Sequence, residues 1–351
     1  MQNKIKKLFS QHKTNSLLFT STTECFYLAK SEFDGFWILA VKDKVYVLSP
    51  KMILNQVKKH FEKTPDKVCV CEVDSFSQTL CKILKQFGAK NILVDSKYIS
   101  ASNFFSISKK LSKENIKLIT KDGVLDKIRI VKCDEEIENI KTACRIVSQV
   151  CDEIKVELKA GLTELDIHYR ILEFFAKNKV YESFTPIVAS GKNSANPHHR
   201  SSDRKVKEND IVLIDIGCVY KGYCSDLTRT YFLGKIPEIQ KNVWNIVKKS
   251  QKKAILLAKA GVFALEIDNA ARGIISDAGY KENFIHTTGH GVGVEIHESP
   301  RLSAKTKERL QKNFTVTIEP GIYLNGQFGV RIEDTVLIKN NNCEVLTSAV
   351  Y

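Results

Sequence analysis

The sequence predicts two domains, an α/β domain followed by an α+β domain. The chain has 351 residues and 43% of them are hydrophobic, which is enough to fill two cores. In its first third, segments that look like strands alternate with segments whose apolar residues have helical spacing. After about residue 130, the pattern of two helices followed by a hairpin occurs two times. We therefore predict domains over residues 1–130 and 131–351.

The first domain is predicted from short alternating runs. Strands are predicted in four stretches, CFYLAK, GFWILAVKDKVYVLS, KVCVCEV and NILVDS. Helices are predicted between them in MILNQVKKHFEK and FSQTLCKILKQFG, whose apolar residues recur at helical spacing. The alternation breaks up in DGVLDKIRIVKCD, which puts the domain boundary near residue 130.

The second domain is predicted to combine long helices with short strands. Four helices are predicted over residues 135–159, 163–179, 238–260 and 264–278. The second of them opens with an approximate capping box, in which Asp166 stands three residues after Thr163. Strands are predicted in IVLIDIG, YCSDLTRTYFLG, GVGVEI, FTVTIEP and RIEDTVLI, with a hairpin turn at Tyr220-Lys221-Gly222 between the first two.

Composition excludes several classes of protein. No apolar run approaches the roughly 18–20 residues that a membrane helix needs, and polar residues interrupt the start before a signal-peptide core forms. The ten cysteines are scattered without the paired CxxC spacing of a zinc site, and a reducing compartment accommodates them as thiols. We therefore predict a cytoplasmic protein without a membrane partner.

The formal charge of +14 raises the question of nucleic acid. The excess is mostly lysine and is spread along the whole chain in short groups. Recognition of bases and phosphates favours arginine and aromatic residues concentrated on one face. The charge is therefore interpreted as a solvated surface, and no nucleic-acid partner is predicted.

Two aspartates lie in the predicted hairpin. Asp215 stands between two isoleucines in VLIDIG, and Asp226 follows eleven positions later in YCSDLTR. A turn about Tyr220-Lys221 would bring the two carboxylates nearly opposite each other. An aspartate inside an apolar strand is costly unless something compensates its charge, so a lone polar residue at a strand edge is the weaker interpretation of Asp215.

Histidines cluster in HTTGHGVGVEIHESP, where His286, His290 and His297 fall within twelve positions. Neutral imidazole is a metal ligand and a proton carrier near pH 7. The glycines beside His290 also allow backbone segments to approach closely. A chance cluster on the surface is the alternative.

Two glutamates stand in strand-like contexts, Glu319 in TVTIEPG and Glu333 in GVRIEDT, although Glu333 also fits a solvent-facing alternation. With the two aspartates they make four carboxylates, which would balance the charge of two divalent cations. Oxygen-rich ligation with one nitrogen suits Mn²⁺ first, with Co²⁺, Fe²⁺ and Zn²⁺ as alternatives. Two such ions, about 3.5–4 Å apart, are the usual basis of two-metal hydrolysis.

Five ordered motifs resemble one known family. They are IVASGKNSANPHH, IDIGCVYKGYCSDLTRT, HTTGHGVGVEIHESP, TIEPGIY and GVRIED. Together they resemble the pita-bread metallopeptidases of the aminopeptidase P and prolidase branch, and the resemblance covers the whole chain. It implies a creatinase-like α/β domain at the amino terminus, followed by a pita-bread catalytic domain.

The resemblance also implies a role for each matching residue. The metal ligands would be Asp215, Asp226, His290, Glu319 and Glu333. Asp226 and Glu333 would bridge both ions, and Glu319 would also take a proton from water. The residues that match the substrate side or the organisation of the metal site are His198, His286, His297 and Arg331. His199 departs from the glycine that relatives often have there, and we predict that His198 is the histidine that faces the site.

The family implies hydrolysis of the peptide bond before proline. That bond is a tertiary amide without an N–H, so enzymes that grip the N–H cannot use it. We predict an Xaa-Pro aminopeptidase acting on short proline-containing peptides, with Xaa-Pro dipeptidase (prolidase) as the alternative and a homodimer expected from the family. A non-catalytic pita-bread scaffold that binds nucleic acid or protein is disfavoured, because all five ligand positions are intact. Creatinase, a metal-free relative, is disfavoured for the same reason. Methionine aminopeptidase is also less favoured, because those enzymes resemble the catalytic domain alone.

Overall fold

The computed structural model describes residues 1–31, 33–63 and 68–350. The chain forms two compact units, Met1–Ile128 and Arg129–Tyr351. Their division falls two residues before the end of the first domain that the sequence predicts. Among the residues described, no helix combines the length and the apolar character that crossing a membrane requires.

The first unit is built on one mixed sheet with the strand order β4-β3-β2-β1-β5-β6. Its strands are β1 Ser16–Phe19, β2 Trp37–Val41, β3 Lys44–Ser49, β4 Cys69–Glu72, β5 Asn91–Asp95 and β6 Lys117–Lys121. Its helices are α1 Gln2–His12, α2 Thr22–Ala29, α3 Leu54–Glu62, α4 Phe76–Gln86, α5 Ala101–Ser112 and α6 Asp126–Arg129, the last of which crosses the division. Buried aliphatic side chains of the sheet, α4 and α5 form one core.

One strand prediction in this unit is wrong. CFYLAK was predicted as a strand, but it forms the end of the helix α2. Ser21 and Glu24 form a capping box there, with each side chain bonded to the backbone N–H of the other residue. This local capping outweighs the strand preference of the aromatic and apolar residues that follow.

The second unit contains four long helices around short strands. The helices are α7 Asp134–Glu157, α8 Glu164–Lys177, α9 Glu238–Leu257 and α10 Ala264–Asp277. The strands of its first half are β7 Tyr181–Glu182, β8 Ile187–Ser190, β9 Ile211–Ile216, β10 Cys218–Tyr220, β11 Tyr223–Cys224 and β12 Leu227–Phe232. Those of its second half are β13 Gly289–Gly291, β14 Glu298–Leu302, β15 Thr315–Ile318, β16 Gly321–Leu324, β17 Phe328–Arg331, β18 Asp334–Ile338 and β19 Cys343–Val345.

The two halves of this unit repeat the same backbone pattern. In each half a residue just before the second helix forms an isolated bridge to a later segment, Thr163 to Lys205 and Phe263 to Arg309. The helix α8 begins with a capping box, and at the start of α10 Glu266 Oε2 accepts a hydrogen bond of 2.8 Å from Phe263 N. The structure therefore contains the repeat of two helices and a group of strands that the sequence pattern indicates.

Two details of the predicted strands are wrong. Asp215 in β9 pairs with Thr228 in β12, so Asp226 lies two residues before the position opposite Asp215. The turn is centred between Lys221 and Gly222, one residue later than predicted, and β9–β12 keeps the same register as β10–β11, which explains the offset. GVGVEI is largely a loop between β13 and β14, because the backbone turns back where Gly293 N donates to Glu295 O at 3.1 Å.

Candidate metal centre

Three of the five predicted ligands form one buried cluster. Asp226, His290 and Glu333 each offer one ligand atom, and these atoms all lie within 4.8 Å of one another. The residues come from separate parts of the chain: just before β12, within β13, and between β17 and β18. The three residues are 5%, 9% and 2% exposed, so the cluster is largely shielded from water.

The other two predicted ligands border this cluster. Glu319 Oε1 lies 3.3 Å from His290 Nε2, and the same nitrogen lies 3.5 Å from Asp226 Oδ2. Asp215 is also buried, and its Oδ2 accepts a hydrogen bond of 2.6 Å from Arg331. The structure therefore brings all five side chains into one region of the second unit.

The carboxylates of this region are suited to divalent cations. Asp215 Oδ1 and Glu333 Oε1 are buried and have no hydrogen-bond partner among the described residues, which is costly for a carboxylate. Burial, followed by the charges of Glu319 and Asp215, raises the pKa of Glu333 well above its ordinary value. Burial, followed by the charges of Glu333 and Asp215, does the same for the pKa of Asp226. Two cations would offset this crowding of negative charge and give the unpaired oxygens ligand roles.

Close backbone packing orients His290. Gly289 and Gly291 flank it, and a Cβ at Gly289 would lie 2.0 Å from the carbonyl oxygen of Thr317. The N–H of His290 donates to Thr317 Oγ1 at 3.0 Å, and its Nδ1 lies 3.1 Å from the carbonyl oxygen of Gly291. Nδ1 is therefore the donor, which leaves Nε2 as the lone-pair nitrogen that faces the carboxylates.

Arg331 connects two of the carboxylates. Its Nη2 donates to Asp215, and its Nε donates to Thr228 Oγ1 at 3.1 Å. The hydroxyl of Thr228 in turn donates to Glu333 Oε2 at 2.6 Å. Thr228 was not among the predicted site residues, although it lies in the YCSDLTR stretch that contains Asp226.

Tyr323 links Arg331 to His286. Arg331 Nη1 donates to the Tyr323 hydroxyl at 2.8 Å, and this hydroxyl lies 2.9 Å from His286 Nε2. His286 Nδ1 lies 2.8 Å from the carbonyl oxygen of Thr287, so both ring nitrogens have partners. Burial lowers the pKa of His286, which favours a neutral ring. Tyr323 was also missed, since a tyrosine in TIEPGIY reads as a core residue.

The remaining predicted histidines lie toward solvent. The ring of His297 packs edge-on against that of His290 with centroids 4.5 Å apart, and His297 itself is exposed. Burial of part of the ring, followed by the charge of His290, lowers the pKa of His297. His198 is exposed, whereas the neighbouring His199 directs Nε2 to the buried carboxylate of Glu164 at 2.7 Å.

Comparison with known proteins shows the family of this chain. Residues 138–340 match Metallopeptidase family M24, and residues 2–131 match the Creatinase/Prolidase N-terminal domain. The first match covers more than half of the chain. This chain belongs to metallopeptidase family M24. The predicted resemblance, with a creatinase-like domain before a pita-bread domain, is confirmed.

Similar proteins match this M24 metallopeptidase along nearly its whole length. The putative Xaa-Pro aminopeptidase of Mycoplasma pneumoniae is 32% identical over 349 residues, which cover 99% of this chain and 96% of that protein. The solved Xaa-Pro dipeptidase from Bacillus anthracis is 30% identical with a TM-score of 0.94, covering 99% of this chain and 98% of that one. The prolidase from Pyrococcus furiosus is 32% identical with a TM-score of 0.89, covering 98% and 99%. The cytoplasmic location and the homodimer stay predictions.

The raised carboxyl pKa values predict how pH affects the metal-free M24 protein. The folded state keeps protons on Asp226 and Glu333 that the unfolded chain releases above its ordinary carboxyl pKa. These two groups should therefore lower the free energy of unfolding as the pH rises above about 4.5. Thermal melts with chelator and with Mn²⁺, between about pH 5 and pH 8, should show metal stabilisation that grows with pH. Stabilisation that is constant or shrinks over this range would contradict the assignment.

Proposed function

We propose that this chain uses two divalent metal ions, Mn²⁺ first among them, to hydrolyse the peptide bond before proline in short peptides. The observation that carries the proposal is the cluster of Asp226, His290 and Glu333 in a member of metallopeptidase family M24. Together with Asp215 and Glu319, these residues hold the ions. The names of the three similar proteins described above, an Xaa-Pro aminopeptidase, an Xaa-Pro dipeptidase and a prolidase, support the choice of proline.

The protein's own groups supply the remaining steps. When bound, divalent ions at this site supply a Lewis acid for the carbonyl and acidify water. Burial raises the pKa of Glu319, which suits it to take a proton and to deliver it to the departing proline nitrogen. His297, exposed beside His290, donates to the carbonyl oxygen as negative charge develops there. His286 and Arg331 are positioning residues, because Tyr323 and Asp215 occupy their polar atoms.

Two substrate lengths define two candidate enzymes. The sequence predicts an aminopeptidase, which accepts a chain continuing after proline, and the name of the Mycoplasma pneumoniae relative favours it. A dipeptidase is the second candidate, and the names of the Bacillus anthracis and Pyrococcus furiosus proteins favour that one. Both enzymes would use the same metal cluster.

A substrate-length series tests the proposal. We expect protein reconstituted with Mn²⁺, Co²⁺ or Zn²⁺ to cleave Ala-Pro and Ala-Pro-Ala before proline, and to leave Ala-Ala-Ala intact. An aminopeptidase would cleave the tripeptide at least as fast as the dipeptide, whereas a dipeptidase would cleave only Ala-Pro. Cleavage that persists after chelation, or equal rates on Ala-Ala-Ala, would refute the proposed function.

A further inference from the structure

A buried carboxylate outside the metal cluster gathers the loop that carries His198. Glu164, the first residue of α8, is 0% exposed. One of its oxygens, Oε1, accepts hydrogen bonds from Ser190 N at 2.7 Å, Ser190 Oγ at 2.8 Å and Asn193 Nδ2 at 3.0 Å. Its Oε2 contacts His199 Nε2 at 2.7 Å, Ser202 Oγ at 2.7 Å and Ser202 N at 3.1 Å. One carboxylate therefore holds both ends of residues 190–202.

The start of the helix does not require this carboxylate. In the second half of the repeat, Ala264 occupies the matching first position of α10, and it is also 0% exposed. Glu164 N donates to Arg204 O at 3.1 Å, and Ala264 N donates to Glu308 O at 2.9 Å. The backbone bond at the start of the helix therefore forms equally well with the methyl side chain of Ala264. We infer that the carboxylate of Glu164 is needed to hold residues 190–202 and not to start the helix.

The middle of the loop is fixed against the metal site. Gly329 N in β17 donates to Ser194 Oγ at 2.8 Å, and a Cβ on Gly329 would lie 2.1 Å from Ser194 O. Three residues later, the carbonyl oxygen of Pro197 accepts a hydrogen bond of 3.4 Å from Arg331 Nη1. The loop therefore passes beside the arginine that binds Asp215.

Two successive histidines of this loop lie in different environments. The side chain of His199 is only 15% exposed and meets Glu164, whereas His198 is exposed. Asn196 fixes the turn just before the two histidines, because its Oδ1 accepts a hydrogen bond of 3.1 Å from His198 N. We propose that Glu164 and His199 form a clamp that holds residues 190–202 against the site, so that His198 is the histidine that meets the substrate.

The clamp predicts a kinetic effect that depends on His198. The role of His198 rests on the proposed function, and the expected effect is on substrate binding. In Mn²⁺-loaded protein, His199→Ala should raise KM for the better of Ala-Pro and Ala-Pro-Ala by about fivefold, with kcat within about twofold. His199→Gln should restore KM to within about twofold, because its amide N–H can still donate to Glu164. In a His198→Ala background, His199→Ala should add less than about twofold. An equal factor in both backgrounds, or no change, would overturn the proposal.

A proteolysis assay tests the clamp without any substrate. Lys192 and Arg200 are exposed trypsin sites within the loop, and Lys235 is an exposed site outside it. In the metal-loaded protein, His199→Ala should speed cleavage after Lys192 and Arg200 by at least about fivefold and leave cleavage after Lys235 unchanged. If His199→Ala leaves the rate of tryptic cleavage in the loop unchanged, the proposed clamp is refuted, even if the enzyme cleaves proline peptides. If no proline peptide is cleaved, the proposed function fails while the trypsin result still decides the clamp.

Discussion

Replacement of Asp226 by Asn, or of Glu333 by Gln, is expected to lower kcat/KM by more than about a thousandfold, or about 4 kcal/mol of transition-state stabilisation. Each substitution removes one anionic member of the cluster that includes His290 and hardly changes the volume of the side chain. A neutral amide is a weaker ligand than a carboxylate for hard divalent cations, so bound metal should fall with activity. Peptide kinetics and metal analysis of the purified variants measure both quantities.

The same substitutions should affect stability in opposite directions with and without metal. Burial and neighbouring carboxylates disfavour the charge of Glu333 in the metal-free protein. Glu333→Gln should therefore raise the melting temperature in chelator and reduce the stabilisation that Mn²⁺ gives. A residue with only a structural role would not produce this reversal.

Asp334 provides a matched control next to Glu333. It is buried as well, but its carboxylate bonds to Arg229 at 2.8 Å, Gln251 at 2.6 Å and Thr347 at 2.7 Å. Asp334→Asn should lower the melting temperature, because it weakens a buried ion pair, without a thousandfold loss of metal-dependent turnover. Full activity in Glu333→Gln, or an equal loss in Asp334→Asn, would argue against the ligand assignment.

The candidate metal site could be predicted because a charged residue within an apolar run is conspicuous in a sequence. Asp215 stands between Ile214 and Ile216, and all three are buried in β9. A carboxylate in such a strand needs compensation, and this requirement is local enough to be recognised from the residues alone. The long-range convergence of Asp226 with Glu333 was inferred from the charge balance of four carboxylates with two divalent cations and from the resemblance, because no local pattern relates segments so far apart.

The supporting contacts could not be predicted in the same way. Thr228 and Tyr323 are ordinary strand residues by composition, and only the fold shows that their hydroxyls contact Arg331. The sequence likewise shows Glu164 only as an acidic residue in the first turn of a helix, where its negative charge would interact favourably with the helix dipole. Its burial against residues 190–202 depends on a loop that no periodicity describes.

The same limit explains the misassigned segments. The alternating valines of GVGVEI resemble a strand, but the loop that they form closes around Glu298. The backbone N–H of Glu295 donates to Glu298 Oε1 at 3.1 Å, and Lys132 Nζ donates to Oε2 at 3.1 Å. Burial raises the pKa of Glu298, but the charges of Lys132 and Arg129 outweigh it and lower the pKa to about 2. A buried ion pair contributed by another part of the chain therefore overrides the local pattern beside His297.

Arg331→Lys is expected to lower metal affinity and kcat/KM by about 10–100-fold, although the positive charge is retained. The guanidinium donates from separate nitrogens to Asp215 at 2.6 Å, Tyr323 at 2.8 Å and Thr228 at 3.1 Å. A lysine ammonium is a single point on a flexible stem and cannot meet all three acceptors in this fork. Thr228 would then hold Glu333 less firmly, and Asp215 would be free to turn away from the cluster.

Arg170→Lys is the matched control for this substitution. Arg170 also bonds to a carboxylate through two nitrogens, at 2.7 Å and 2.8 Å from Glu157, but on the surface of α8. Exposed ion pairs contribute about 0–1 kcal/mol, so this variant should keep wild-type metal affinity and turnover. Isothermal titration with Mn²⁺ and peptide kinetics would compare the two variants. If Arg331→Lys binds Mn²⁺ and turns over substrate like Arg170→Lys, the arginine does not organise the ligands, and the coupling between Asp215 and Glu333 must be carried by other contacts.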